Sequence, residues 1–144
     1  MHIPRIFRAV TILALVVPGS FTFGHGEEKP GPHGGVIRMP GGFHTEVSMK
    51  GKTAFEVHLL DADWKNPTIK GSQVSARIQR GKTTLALTCE PKSISYHCAL
   101  PTGQRPKKGD LLVIEANREG MPGAPAEYTY PLSLSASAKS HHDH

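Results

Sequence analysis

At 144 residues the chain has the length of one domain and enough interior to bury a real core. Its 17 Lys and Arg against 12 Asp and Glu give a formal charge of +5, yet the basic residues are scattered and only 6% of residues are aromatic. The basic stripe interleaved with stacking rings that nucleic-acid binding needs is missing, so nucleic acid is excluded as a partner and a solvated basic surface accounts for the charge.

Residues 1–24 read as an export signal. Arg5 and Arg8 form a basic n-region, residues 9–17 a short apolar run, and Pro18 and Gly19 break it; Thr22-Phe23-Gly24 then offers small residues where a signal peptidase needs them. The run is about half the roughly 20 residues of a membrane span, which makes an uncleaved anchor the weaker alternative. No cysteine near the cleavage region offers a lipid attachment. The expectation is a secreted, periplasmic domain over 25–134, with no membrane attachment after cleavage near Gly24. Removal of Arg5 and Arg8 leaves 15 basic against 12 acidic residues. Cleavage after Gly24 also exposes His25, whose amine and imidazole together chelate Cu(II); cleavage near Gly19 does not.

The stretch "PGPHGGVIRMPGGFHTE", residues 30–46, follows. His33 sits in the turn Pro32-His33-Gly34-Gly35, whose glycines let the backbone fold close to a sheet. Segments 36–39, 43–49 and 53–60 alternate apolar and polar residues as strands do. In 43–49 the apolar residues fall at 43, 47 and 49, so His44, Glu46 and Ser48 share the opposite face; in 53–60 the apolar set is 55, 57 and 59, leaving Glu56 and His58 on the other side.

The link Lys50-Gly51-Lys52 is short enough for a hairpin. Both apolar sets reach the interior only if odd positions pair with odd ones. A loop over 50–52 does this with Met49 opposite Thr53 and Val47 opposite Phe55, which sets His44 opposite His58 and Glu46 opposite Glu56. Opposed Cβ atoms lie about 4.5–5.5 Å apart, so two imidazoles and two carboxylates form a square on the outer face. Like charges so opposed repel, and a divalent cation reverses that sign. The competing reading is an ordinary solvated sheet face, with His33 a turn residue.

Asp61 and Asp63, in "DADWKNP", lack the third acidic ligand and the glycine of a calcium loop and read as a strand terminator and turn, with Trp64 a packing anchor. Strands are expected at 73–80 and 83–89, linked by Gly81-Lys82, and at 94–100 after a turn at Glu90-Pro91-Lys92-Ser93. Cys89 and Cys98 are the only cysteines and lack redox C-x-x-C spacing, so a disulfide clipping this hairpin is expected, against a thiolate metal site using His97 and Cys98. Further strands are expected at 111–116 and 127–134. The tail 135–144, "SASAKSHHDH", is polar and reads as disordered; His141, His142, Asp143 and His144 offer at most a loose, nonspecific metal grip.

Seven or eight short strands with frequent turns predict an all-β chain, a small antiparallel β-sandwich of immunoglobulin-like type, with a small closed barrel as the alternative. No nucleophile with its base, phosphate-cradling loop or cofactor fingerprint is present, so no catalysis is expected.

On these residues the chain resembles a family of small secreted proteobacterial proteins that share a "PGPHGG…IRMPG.FHTE" opening, an "LLD…KNPT" strand end and a later cysteine hairpin; the likeness runs over residues 31–134. More loosely, "HGG" followed by "H-x-E" is similar to the N-terminal domain of periplasmic adaptors of heavy-metal efflux systems. That resemblance implies metal handling through His33, His44 and Glu46. Handlers of Cu(I) and Ag(I) typically cluster methionines, whereas Met39, Met49 and Met121 are dispersed here.

The expectation is therefore a non-enzymatic periplasmic protein that binds a divalent transition metal, Zn(II) or Cu(II) first and Ni(II) next, through His44, Glu46, Glu56 and His58, with His33 as a fifth group. It would buffer the ion or deliver it to an efflux adaptor. The alternative is a metal-free module docking an envelope protein by a sheet face or edge. A carbohydrate-binding sandwich is weaker, because one tryptophan offers little to stack on sugars.

Overall fold

The alternation of apolar and polar residues builds strands throughout. The structure, a computed structural model, describes residues 29–134; the segment expected to be an export signal, His25 and the His-rich tail lie outside the described residues. No helix occurs among the described residues, and none is long and apolar enough to cross a membrane. The strands are β1 (Val36–Arg38), β2 (His44–Lys50), β3 (Ala54–Leu60), β4 (Gln73–Arg80), β5 (Thr83–Ala86), β6 (Thr88–Lys92), β7 (Ser95–Ala99), β8 (Leu111–Arg118), β9 (Met121–Pro122) and β10 (Ala126–Thr129). They form two antiparallel sheets, one in the order β1-β2-β3-β7-β6 and the other β10-β8-β4-β5, with β9 added to β8.

The core lies between the sheets. Val36, Phe43, Val47, Phe55, Val57 and Leu59 come from one side and Ile78, Leu112, Ile114 and Tyr128 from the other, all in one buried cluster. The odd positions of β2 and β3 face inward, as hairpin parity required. One polar pair crosses the interior: the Tyr128 hydroxyl donates to the Thr45 carbonyl (3.0 Å) and also bonds the Thr45 hydroxyl. Burial pushes the Tyr128 hydroxyl well above its ordinary range, so it stays a donor.

Several of the expected boundaries change: the last strand, expected over 127–134, is Ala126–Thr129, and β8 runs on to Arg118. The run 83–89 divides at Leu87, where the chain leaves one sheet and enters the edge of the other; the Leu87 N–H bonds the Ala76 carbonyl (3.0 Å) at the crossing. The turn expected at 90–93 falls later. β6 continues through Pro91 to Lys92, which pairs with Ser95, and the reversal occurs at Ser93-Ile94 with Ser93 at φ 57°. An edge strand tolerates proline because one row of its N–H groups has no strand to meet.

Cys89 and Cys98 oppose each other across β6 and β7 and are joined by a disulfide. They sit on the inward face, where Cys98 is fully buried. The thiolate alternative is thereby overturned: Cys98 is oxidised, and His97, its neighbour along the strand, points to the other face.

The disulfide closes a short loop and restricts the unfolded chain. Replacing both cysteines by alanine is expected to lower the unfolding free energy by about 2.5–3 kcal/mol in urea titration. A loss below about 0.5 kcal/mol would show that the unfolded chain already keeps this hairpin.

Candidate metal centre

The register of the β2–β3 hairpin decides which polar side chains meet. Met49 pairs with Phe55, Val47 with Val57, Glu46 with His58, Ser48 with Glu56 and His44 with Leu60. The loop is 51–53, with Lys50 opposite Ala54 and Gly51 at φ 63°. Parity is as expected, but the ladder is displaced by two residues from the pairing of His44 with His58 and Glu46 with Glu56. A loop shifted by one residue keeps every apolar side chain inside, so burial alone does not choose between the two registers. The expected square does not form, and the acid faces an imidazole instead of another acid.

The face carrying these groups is not solvated. Glu46 is 0% exposed, His58 4% and His44 5%. The glycine-rich segment before β1 folds across the sheet and covers them. A Cβ at Gly35 would lie 2.7 Å from the Val47 carbonyl oxygen and 2.8 Å from Glu46 Cγ, and one at Gly31 would collide with the Glu46 carboxyl group. Only glycine lets this backbone lie so close to β2.

The approach satisfies Glu46. Its carboxylate accepts the backbone N–H of His33 (2.7 Å) and of Gly35 (3.0 Å), and His33 Nδ1 lies 2.7 Å from Oε2. The bond uses Nδ1 of His33 and leaves Nε2 as the ring nitrogen turned away from the carboxylate. This is the carboxylate–histidine arrangement that orients imidazoles in metal sites. The His33 ring stacks on His58 with centroids 3.7 Å apart and planes 2° from parallel. His58 Nε2 lies 3.8 Å from Glu56 Oε1, whereas His58 Nδ1 is buried with no hydrogen-bond partner. Burial first, and then the neighbouring His33, push His58 below its ordinary value of 6.5, against upward pulls from Glu56 and Glu46. It is therefore neutral at pH 7, the form that binds metal.

His33, Glu46 and His58 offer ligand atoms that all lie within 4.8 Å of one another. Ligands held about 2.0–2.1 Å from a tetrahedral zinc sit roughly 3.3–3.5 Å apart, so an ion would draw the two imidazole nitrogens together. Parallel stacked rings do not aim their in-plane lone pairs at one point. The His33 side chain is the more exposed of the two, at 31%, so coordination by both rings requires it to turn out of the stack.

The remaining expected ligands lie elsewhere. His44 shares the face but contacts the 61–66 loop: its Nδ1 is 3.0 Å from the Asp61 carbonyl oxygen and its ring is edge-on to Trp64 at 6.0 Å. Glu56 accepts the Ser95 hydroxyl (2.9 Å) and borders the site through His58. Asp61 caps its own turn, held below the usual carboxylate range chiefly by the Lys65 N–H and then by the Asn66 amide. The sequence reading missed the backbone donors at 33 and 35 and the burial of this face. Its signal was apolar residues at outward parity, Ile37 and Leu60. Both are fully buried yet stand outside the core cluster.

Comparison with protein-family models, with curated proteins and with solved structures returned no match.

Gly35→Ala should force the segment off β2, costing about 1–3 kcal/mol in stability and raising amide exchange at His33 and Gly35. Unchanged exchange there would refute the close approach. The second expectation concerns pH. Since His58 is harder to protonate folded than unfolded, the unfolded state binds more protons as pH falls. Its contribution to stability is full above 6.5 and is lost as pH drops through that value. Melting temperature from about pH 7.5 to 5.5 should fall more steeply for the unsubstituted chain than for His58→Gln. Equal slopes would show that His58 carries no such linkage.

Proposed function

We propose that this protein binds one divalent transition metal ion at the His33–Glu46–His58 cluster, with the two imidazoles as donors and Glu46 orienting His33, as a buffer or carrier in an exported, oxidising compartment such as the periplasm. The observation that carries the reading is the buried, unpartnered Nδ1 of His58 beside a second imidazole already oriented by a buried carboxylate. A buried polar atom without a partner is costly, by about 1–3 kcal/mol, and a metal ion supplies the missing bond. Two imidazoles, one of them oriented by a carboxylate, suit Zn(II), Cu(II) or Ni(II). The site holds no sulfur donor, which disfavours monovalent soft ions. The oxidised cysteine pair is consistent with export.

Because Glu46 is already met by His33 and by two backbone N–H groups, the fold does not depend on the ion to neutralise it. Binding is then exchangeable, as a carrier or buffer requires, unlike a structural zinc that the fold cannot lose.

Zinc titration of the full chain, with His141, His142 and His144 changed to alanine to silence the tail, should show one site. His33→Ala/His58→Ala should weaken it by about tenfold to a hundredfold or more, while His44→Ala should leave it within about twofold. Affinity should fall below about pH 6 as the imidazoles protonate. Affinity that disappears with the tail histidines, or that stays flat from about pH 7.5 to 5, would overturn the assignment.

A further inference from the structure

The basic residues look dispersed along the sequence, but the fold gathers them. The β2–β3 turn brings Lys50 and Lys52, the β4–β5 turn Lys82, and the 101–110 loop Arg105, Lys107 and Lys108, all exposed, to one end of the two sheets. The turns are tied together. The Leu100 N–H donates to the Thr53 carbonyl (2.9 Å), and Arg80 reaches across to the Arg105 carbonyl (2.9 Å) and to Asp110 (2.7 Å). Asp110 is the one carboxylate within these loops, and it is 2% exposed and committed to Arg80. No ion pair engages the six outer cations among the described residues. At the opposite end, Asp61, Asp63 and Glu119 are mixed with Lys65, Lys70, Lys92 and Arg118, so the charge is one-sided.

We propose that this basic end adsorbs onto a planar anionic lipid surface. Three features favour that partner. The cations stand on turns at the tip of a sandwich, spread over both sheets, an arrangement that meets a plane. A bound acidic peptide needs a cleft, and two surface grooves, one lined by Ile69, Val74 and Tyr96 and the other by Met39, Pro40 and Pro125, lie away from these residues. A single-stranded nucleic acid is held by stacking as well as charge, and the tip turns contain no aromatic residue. They also lack large apolar side chains, so the contact is electrostatic adsorption without insertion, reversible and sensitive to salt. The inference is independent of the metal site.

The test is partition of the chain, as recovered from cells, onto vesicles rich in phosphatidylglycerol at about 0.05 M salt. Each cation near an anionic surface strengthens binding by about fivefold, so Lys52→Ala/Lys107→Ala/Lys108→Ala should weaken partition by roughly a hundredfold. The same number of changes at the other end, Lys65→Ala/Lys70→Ala/Lys92→Ala, should weaken it far less. Melting should be unaltered in both variants, since none of these side chains has a bonded partner among the described residues. Binding should vanish at about 0.5 M salt and on phosphatidylcholine alone. Equal losses from the two triple variants, persistence on neutral vesicles, or retention on polyglutamate without vesicle binding would each overturn the proposal.

Discussion

A carboxylate sealed from water organises this molecule. Glu46 stands in the middle of β2 with no exposure, and removing a charge from solvent costs several kcal/mol unless its lone pairs are met. They are met by two backbone N–H groups and an imidazole from one short glycine-rich segment. Those donors reach the carboxylate only because positions 31 and 35 have no side chain to hold the backbone away. The segment in turn shields Glu46, His58 and Ile37 from solvent. Removal of the acid would leave two N–H groups unpaired beneath the loop, and removal of the loop would leave a bare charge on the sheet. Each part is tolerable only with the other present.

The register translates that constraint into chemistry. Had acids opposed acids and imidazoles opposed imidazoles, the face would repel itself and demand a cation in order to fold. With Glu46 opposite His58, the carboxylate faces a neutral ring instead of a second charge, and the fold does not need a cation. What stays unsatisfied is a single nitrogen, His58 Nδ1, neutral because burial disfavours its charge. One unmet lone pair beside a partly exposed ring supports a reversible site.

Parity was legible in the sequence, and so were the all-β class, the strand 73–80 and the cysteine hairpin, because all depend on alternation and spacing. Register was not, since moving the loop from 50–52 to 51–53 slides His44 from His58 to Leu60 while leaving Val47, Met49, Phe55 and Val57 inside. The choice belongs to the turn, where Gly51 adopts the left-handed conformation, and to cross-strand pairs of opposite character. Burial of the polar face was missed because polar residues were read as wet. Adjacent apolar residues at Val36-Ile37 and Leu59-Leu60 break the alternation and already signal that both faces of this sheet are covered. His33 was identified through its glycines, while the bonds that tie it to Glu46 span 13 residues and have no local pattern.

The basic end and the histidine site occupy the same hairpin without opposing one another. Four residues of extended strand separate Lys50 from Glu46, a span of about 13 Å at 3.2–3.4 Å per residue. The Debye length at physiological ionic strength is about 8 Å, so the lysines lose most of their repulsion toward a cation before it reaches the imidazoles. The acids nearest the site, Glu46 and Glu56, lie within its contact range and act almost unscreened. Short-range attraction thus outweighs long-range repulsion at the point of binding. A chain of net positive charge can accept a divalent ion on one face and rest its cationic end on an anionic plane.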